Sequence, residues 1–268
     1  MFNGKALYNP KGKAGEYSAW AVNFYNGCAN HCSYCYLRRG PLAHAMGGDT
    51  PALKKCFKNE GDAFETFQSE LLRNREAVTH DGGLFFSFST DPCLQETLDM
   101  TLMSVAAAAE MKVPSKILTK CADWILENDK HTEDLKSVKN YVAVGFTITG
   151  RDDLEPDASP TAERLQAMIK LHTTGIRTFA SIEPIIDPAL SFNFMSGMTP
   201  FCDHFKVGLQ SGRQYTPAER TEIGLRAAQF VKECNTSSVY FKESIRTLLD
   251  EDTLNAPICV EKDYNIFK

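Results

Sequence analysis

The sequence predicts an α/β fold, a partial (β/α) barrel of about six to seven parallel strands. Three observations carry that prediction. Short apolar runs alternate with helix-periodic stretches from about residue 20 to residue 241, and such alternation implies parallel strands joined by right-handed crossovers. The 268-residue chain, 43% hydrophobic and 24% charged, has the length and apolar content of one large domain. Its polar words fall at the carboxyl ends of the predicted strands, where folds of this class gather reactive groups.

Residues 1–19 are polar and glycine-rich and read as an irregular leader, residues 20–250 as the barrel, and residues 251–268 as a C-terminal tail. The first strand is expected at 19–24. A helix over 64–78 follows from the spacing of Phe64, Phe67, Leu71 and Leu72, and Gly82-Gly83 closes it before a buried strand at 84–88. Further on, helices are expected at 94–111, 122–138, 160–173 and 217–233. Strands alternate with them at 116–119, 141–149, 177–182, 204–209 and 238–241.

Apolar runs are too short to span a membrane, and Met1-Phe2-Asn3-Gly4-Lys5 does not open a signal peptide, so the expectation is a cytoplasmic protein without membrane partners. Nine cysteines then read as reduced thiols. A net charge of −5 argues against a surface generally coated by nucleic acid, although Arg38, Arg39, Lys54, Lys55 and Lys58 could make a local phosphate contact.

Chemistry concentrates in Gly27-Cys28-Ala29-Asn30-His31-Cys32-Ser33-Tyr34-Cys35-Tyr36, a C-x3-C-x2-C run directly after the first strand. Three thiolates within eight residues can converge on one soft metal centre. The next cysteine, Cys56, lies 21 residues beyond Cys35, so one metal position stays open, and an open position favours catalysis over scaffolding. A zinc knuckle with His31 as fourth ligand is the competing interpretation.

The spacing, with Tyr34 before the third cysteine, resembles the radical S-adenosylmethionine (SAM) superfamily. That resemblance implies a 4Fe-4S cluster on Cys28, Cys32 and Cys35, with SAM chelating the open iron. It implies reductive cleavage of SAM to a 5'-deoxyadenosyl radical that abstracts hydrogen, and an external electron donor of flavodoxin or ferredoxin type. Within the superfamily, Cys28 to Leu37, Phe88-Ser89-Thr90-Asp91 and Ile117-Leu118-Thr119-Lys120 look like the spore photoproduct lyase branch, also called DNA repair photolyase-like. Ser181 to Pro184, Val207 to Gly212 and Tyr240-Phe241-Lys242 are also similar to uncharacterised phage-associated radical SAM proteins.

The lyase likeness implies a nucleic acid or nucleotide substrate and a hydrogen-atom relay through Tyr34 and Tyr36. Phe88 departs from the pattern, standing where the lyase carries its hydrogen-donating cysteine. Cys93 is the nearby thiol that could act instead. Two other functions fit the same cluster motif: a radical SAM peptide modifier or activase, and a non-catalytic, metal-stabilised nucleic-acid-binding module.

Residues at the strand ends supply the remaining candidates. Ser89, Thr90 and Asp91 suit the three hydrogens of the SAM ammonium group. Lys120 would pair with its carboxylate. Thr147 and Thr149 share one face of a strand and could reach the ribose or methionyl part. Glu183, locked before Pro184, needs a partner at the barrel mouth, which could be SAM, substrate or Lys120. Lys242 reads as a surface residue or as a second charged group at the rim, and Arg213 as an anion contact.

Overall fold

The computed structural model describes residues 1–268, apart from the side chains of residues 41 and 42. The first elements are β1 (Leu7–Tyr8), β2 (Trp20–Val22), β3 (Tyr25–Asn26), α1 (Gly40–Met46), β4 (Ala52–Leu53) and α2 (Glu60–His80). Next come β5 (Leu84–Phe86), α3 (Leu98–Glu110), β6 (Ser115–Thr119), α4 (Asp123–Leu126), α5 (Asp129–Ser137) and β7 (Val142–Thr147). The series continues with α6 (Thr161–Thr173), β8 (Arg177–Ile185), α7 (Pro188–Met198), β9 (His204–Leu209), α8 (Pro217–Glu233), β10 (Ser238–Phe241), α9 (Glu243–Arg246) and α10 (Glu251–Leu254).

One sheet runs in the order β1-β2-β5-β6-β7-β8-β9-β10. From β2 to β10 the neighbours pair in parallel. These seven strands match the upper end of the expected count, and only β1 runs antiparallel, against β2. The two ends of the sheet do not pair, so the barrel is partial. Strands β7 and β9 are buried along their whole length, as parallel strands covered on both faces must be.

Two apolar clusters result. The larger one, with Phe67, Val105, Met168 and Phe205 among its members, packs helices onto the sheet. The smaller one fills the barrel interior and contains Tyr17, Phe85, Ala143, Phe179 and Ile266, with Phe88 and Leu118 against it.

Several element boundaries differ from expectation for identifiable reasons. The helix expected at 122–138 is two helices, because the Asn128 side chain accepts from Lys130 N and starts α5 afresh. Helix α7 was not expected at all. Its polar face is short, Asn193, Ser196 and Gly197, and gives little helical period, yet Asp187 caps it by accepting from Leu190 N and Pro188 stands in its first turn.

The two ends of the chain are also more integrated than an appendage. Ala6 and Leu7 are fully buried, and β1 extends the sheet. At the tail, Phe267 stacks under Arg177 and Tyr264 lies against His204, so these residues cover the amino ends of β8 and β9. Among the described residues no helix is long and apolar enough to cross a membrane.

Candidate functional site

The three-cysteine loop leaves the sheet after β2 and is bracketed by the antiparallel pair β3 and β4. Gly27 N and Cys28 N donate to the carbonyls of Met46 and Gly48, and Ser33 N donates to Leu154 O. Gly27 has φ +88°, and a Cβ there would run into the Thr50 carbonyl, so glycine is required where the loop opens. His31 turns away from the thiols, its Nδ1 hydrogen-bonded to Asp157 Oδ2 at 2.7 Å.

Asp91 ties this loop to the barrel. Its Oδ1 accepts from Cys93 N (3.0 Å) and Thr119 Oγ1 (2.6 Å), while Oδ2 accepts from Asn30 Nδ2 (2.8 Å) and Lys120 N (2.8 Å). With four donors in place the carboxylate is a joint between the cysteine loop, the end of β5 and the end of β6. Both oxygens thus already accept hydrogen bonds from the protein. Ser89 is likewise committed, donating to Tyr25 O at 2.5 Å, and Thr90 is buried beside it, its hydroxyl donating weakly to Asp91 O. Cys93 packs into the outer core between sheet and helices, where burial pushes its thiol pKa up.

The wall nearest the loop is built by Lys120 and Tyr34. Lys120 Nζ lies 5.6 Å from the centre of the Tyr34 ring and makes no hydrogen bond among the described residues. Burial opposes its charge, but Tyr34, Cys32 and Glu155 outweigh that and raise its pKa well above the usual lysine value. Tyr34 donates to Glu155, which forms a fully buried ion pair with Arg164. Arg164 also donates to Thr147 O (2.8 Å) and Ser159 O (2.6 Å), fixing the end of β7. Thr147 keeps a hydroxyl without a hydrogen bond among the described residues, whereas the Thr149 hydroxyl accepts from Arg151 N at 3.2 Å in a turn.

On the opposite wall the partner of Glu183 is not Lys120. Lys242 Nζ donates to Glu183 Oε2 at 2.6 Å, and Tyr17 OH donates to the same oxygen at 2.7 Å. Lys242 is only 1% exposed, so of its two expected settings the surface one does not hold. A buried lysine needs such a counter-charge, and the pairing spans 59 residues, so no local signal announces it. Tyr17 was hidden in the supposed leader. Tyr36, half exposed, donates to Phe88 O, so both members of the expected tyrosine pair border the mouth.

The basic residues fare differently. Arg38 pairs with Asp49, Arg39 donates to Ser33 O, and Lys54 donates to the carbonyls of Lys5 and Asn23. Arg213 pairs with Glu219 and donates to Ile186 O.

The donor set fits an iron–sulfur cluster. All three thiols are free of disulfides, and burial holds Cys28 up at about 12 and raises Cys32, so ligation must displace protons from both. No three His, Cys, Asp or Glu side chains among the described residues stand close enough to enclose a single metal ion. A closed tetrahedral zinc site needs that convergence, whereas a polynuclear cluster spreads its thiolates over several irons.

In fold, this partial α/β barrel is similar to solved structures of the radical SAM type. The particular likeness is to spore photoproduct lyase. Its complex with dinucleoside spore photoproduct superposes with a TM-score of 0.60 at 18% identity, covering 83% of this chain and 64% of the lyase. A lyase variant with bound AdoMet and the same dinucleoside gives 0.57, with 78% and 61% covered. SuiB of Streptococcus suis, bound to S-adenosylmethionine, gives 0.53 at 13% identity, with 81% and 46% covered. The chain thus spans under two thirds of the length of these enzymes. An uncharacterised protein of Methanocaldococcus jannaschii is 23% identical over 253 residues, 90% of either chain. No family model matches the sequence.

Proposed function

We propose that this chain is a radical SAM enzyme whose Cys28, Cys32 and Cys35 hold a 4Fe-4S cluster and leave one iron for SAM. The observation that carries this reading is the three-thiol loop itself, set at the carboxyl ends of parallel strands and tied there by the Asn30–Asp91 hydrogen bond. When bound, cluster and SAM supply one-electron cleavage of a carbon–sulfur bond and hence hydrogen-atom abstraction. The chain's own residues bind and orient. Lys120 offers an unshared ammonium group to the SAM carboxylate, and Thr147 offers a hydroxyl to its ribose or methionyl part. Ser89, Thr90 and Asp91 shape the wall behind them. The rings of Phe85, Phe88 and Phe179 exclude water from the floor of the mouth.

A nucleobase or nucleotide is the substrate class this reading favours. Its support is the lyase likeness, since the lyase structures hold a dinucleoside, together with the aromatic floor. Lys55 and Lys58, both exposed, are the basic residues left to meet phosphate. Phe88 has no weak S–H bond to give, so the hydrogen returned to the product comes from a different group than in the lyase. A small external electron carrier of flavodoxin or ferredoxin type would reduce the cluster beside the exposed Tyr36.

Anaerobic reconstitution with iron and sulfide tests the metal centre directly. The reading expects about four irons and about four sulfides per chain, lost in Cys28→Ser, Cys32→Ser or Cys35→Ser. One zinc per chain and no sulfide would instead support the metal-stabilised binding module.

A further inference from the structure

The sheet is open between its edge strands β1 and β10, and residues 13–17 link the β9 and β10 side to β5 and β8. Lys13 Nζ donates to Ser211 Oγ (2.9 Å), and its carbonyl accepts from Lys242 Nζ (3.2 Å). The Glu16 carbonyl accepts from the buried Lys206 Nζ at 3.0 Å, while its carboxylate accepts from Tyr240 OH (3.2 Å) and Glu243 N (3.0 Å). Tyr17 then enters the barrel, its ring 5.4 Å from Phe85 and 6.0 Å from Phe88, its hydroxyl on Ser181 and Glu183. Buried groups of three strands depend on this segment for their hydrogen bonds, so it is a built wall of the barrel.

Its consequence falls on Glu183. Oxygen Oε2 is held by Tyr17 and Lys242, whereas Oε1 has no hydrogen bond among the described residues and the side chain keeps 15% exposure. Gly208 leaves the space, because a Cβ there would come within 3.0 Å of Oε1. A carboxylate pinned through one oxygen presents the other as a fixed acceptor for an N–H or O–H group. Tyr17 links this carboxylate to the Phe85 and Phe88 rings, which stack at 4.6 Å and 15°, and half-buried Phe88 offers a flat apolar face to a planar ring.

We propose that residues 13–17 are a substrate-selecting strap: they close the barrel side, and through Tyr17 they aim Glu183 Oε1 at the donor edge of a planar nucleobase entering by the strand ends. Tyr17 and Lys242 are positioning residues, and Glu183 makes the contact. An extended chain threaded between β1 and β10 is excluded. The proposal rests on the radical SAM reading for its setting and names the substrate contact of that site.

The test is a double-mutant cycle between protein and ligand. Full-length protein, both reconstituted with SAM and metal-free, is titrated with thymidylyl-thymidine and with its N3-methylated analogue. In Glu183→Gln, Tyr17 and Lys242 hold the amide oxygen, so the amide NH₂ faces the ligand and an acceptor becomes a donor. The expected loss is about tenfold or more for thymidylyl-thymidine and under twofold for the methylated analogue. Tyr17→Phe, which keeps the ring packing, should weaken the first several-fold and spare the second. Equal losses for both ligands, or a SAM affinity that falls in step with them, would overturn the proposal. So would wild-type protein that cleaves SAM yet binds no dinucleotide. Protein that binds no iron but shows the predicted coupling refutes the radical SAM reading while upholding the Glu183 contact.

Discussion

Asp91 is the point at which the cysteine loop meets the barrel, and Asp91→Asn tests that joint. An amide can accept at one oxygen only, so its NH₂ faces two of the four donors, either Thr119 Oγ1 and Cys93 N or Asn30 Nδ2 and Lys120 N. Two charge-assisted hydrogen bonds are lost at a buried position, each worth about 1.5–3 kcal/mol, so the expected cost is roughly 3–6 kcal/mol. For a chain of this size that corresponds to a fall in Tm of roughly 10 °C. Urea unfolding of the metal-free protein gives the energy, and iron content after reconstitution reports on the loop. A loss below about 1 kcal/mol with full iron loading would refute the assignment of Asp91 as the joint.

Two further outcomes follow from buried charges. Burial, then the charges of Lys116 and Lys242, pull the Lys206 pKa down to about 7. The unfolded chain binds that proton up to 10.5, so between about 7 and 10.5 stability rises with pH, and the penalty is complete below about 7. Lys206→Met should flatten that rise and stabilise the protein near pH 6 by at most roughly 5 kcal/mol, measured by urea melts at pH 6 and pH 9.5. An unchanged slope would contradict it. Arg164→Met leaves Glu155 without its guanidinium at a site with no solvent access, and should cost about 3 kcal/mol, checked by chemical denaturation.

Local signals were enough for the seven parallel strands, because each is a short apolar run punctuated by glycine, proline or a capping residue. They were also enough for the cysteine loop, whose spacing is contiguous in sequence. They failed for α7, whose polar face is only Asn193, Ser196 and Gly197, although Asp187-Pro188 is a start signal that could have found it. The site was legible only on the side that follows the chain. Tyr34 is marked by the cysteine motif and Lys120 by its place at the end of a strand, and the fold brings them together. Glu183 and Lys242 meet through strand order, and Tyr17 reaches them from a segment whose glycine-rich, polar text carries no periodicity. The four donors on Asp91 come from three separate segments, so sequence could mark the carboxylate as functional without telling a ligand contact from a joint.

The central claim is that the loop of Cys28, Cys32 and Cys35 supports SAM chemistry. Its most direct test is chromatographic detection of 5'-deoxyadenosine after dithionite reduction of the anaerobically reconstituted protein with SAM. The account predicts product from the wild-type chain and none from Cys32→Ser. A fully iron-loaded protein that binds SAM and releases no 5'-deoxyadenosine, alone or with nucleotide substrates, would contradict it.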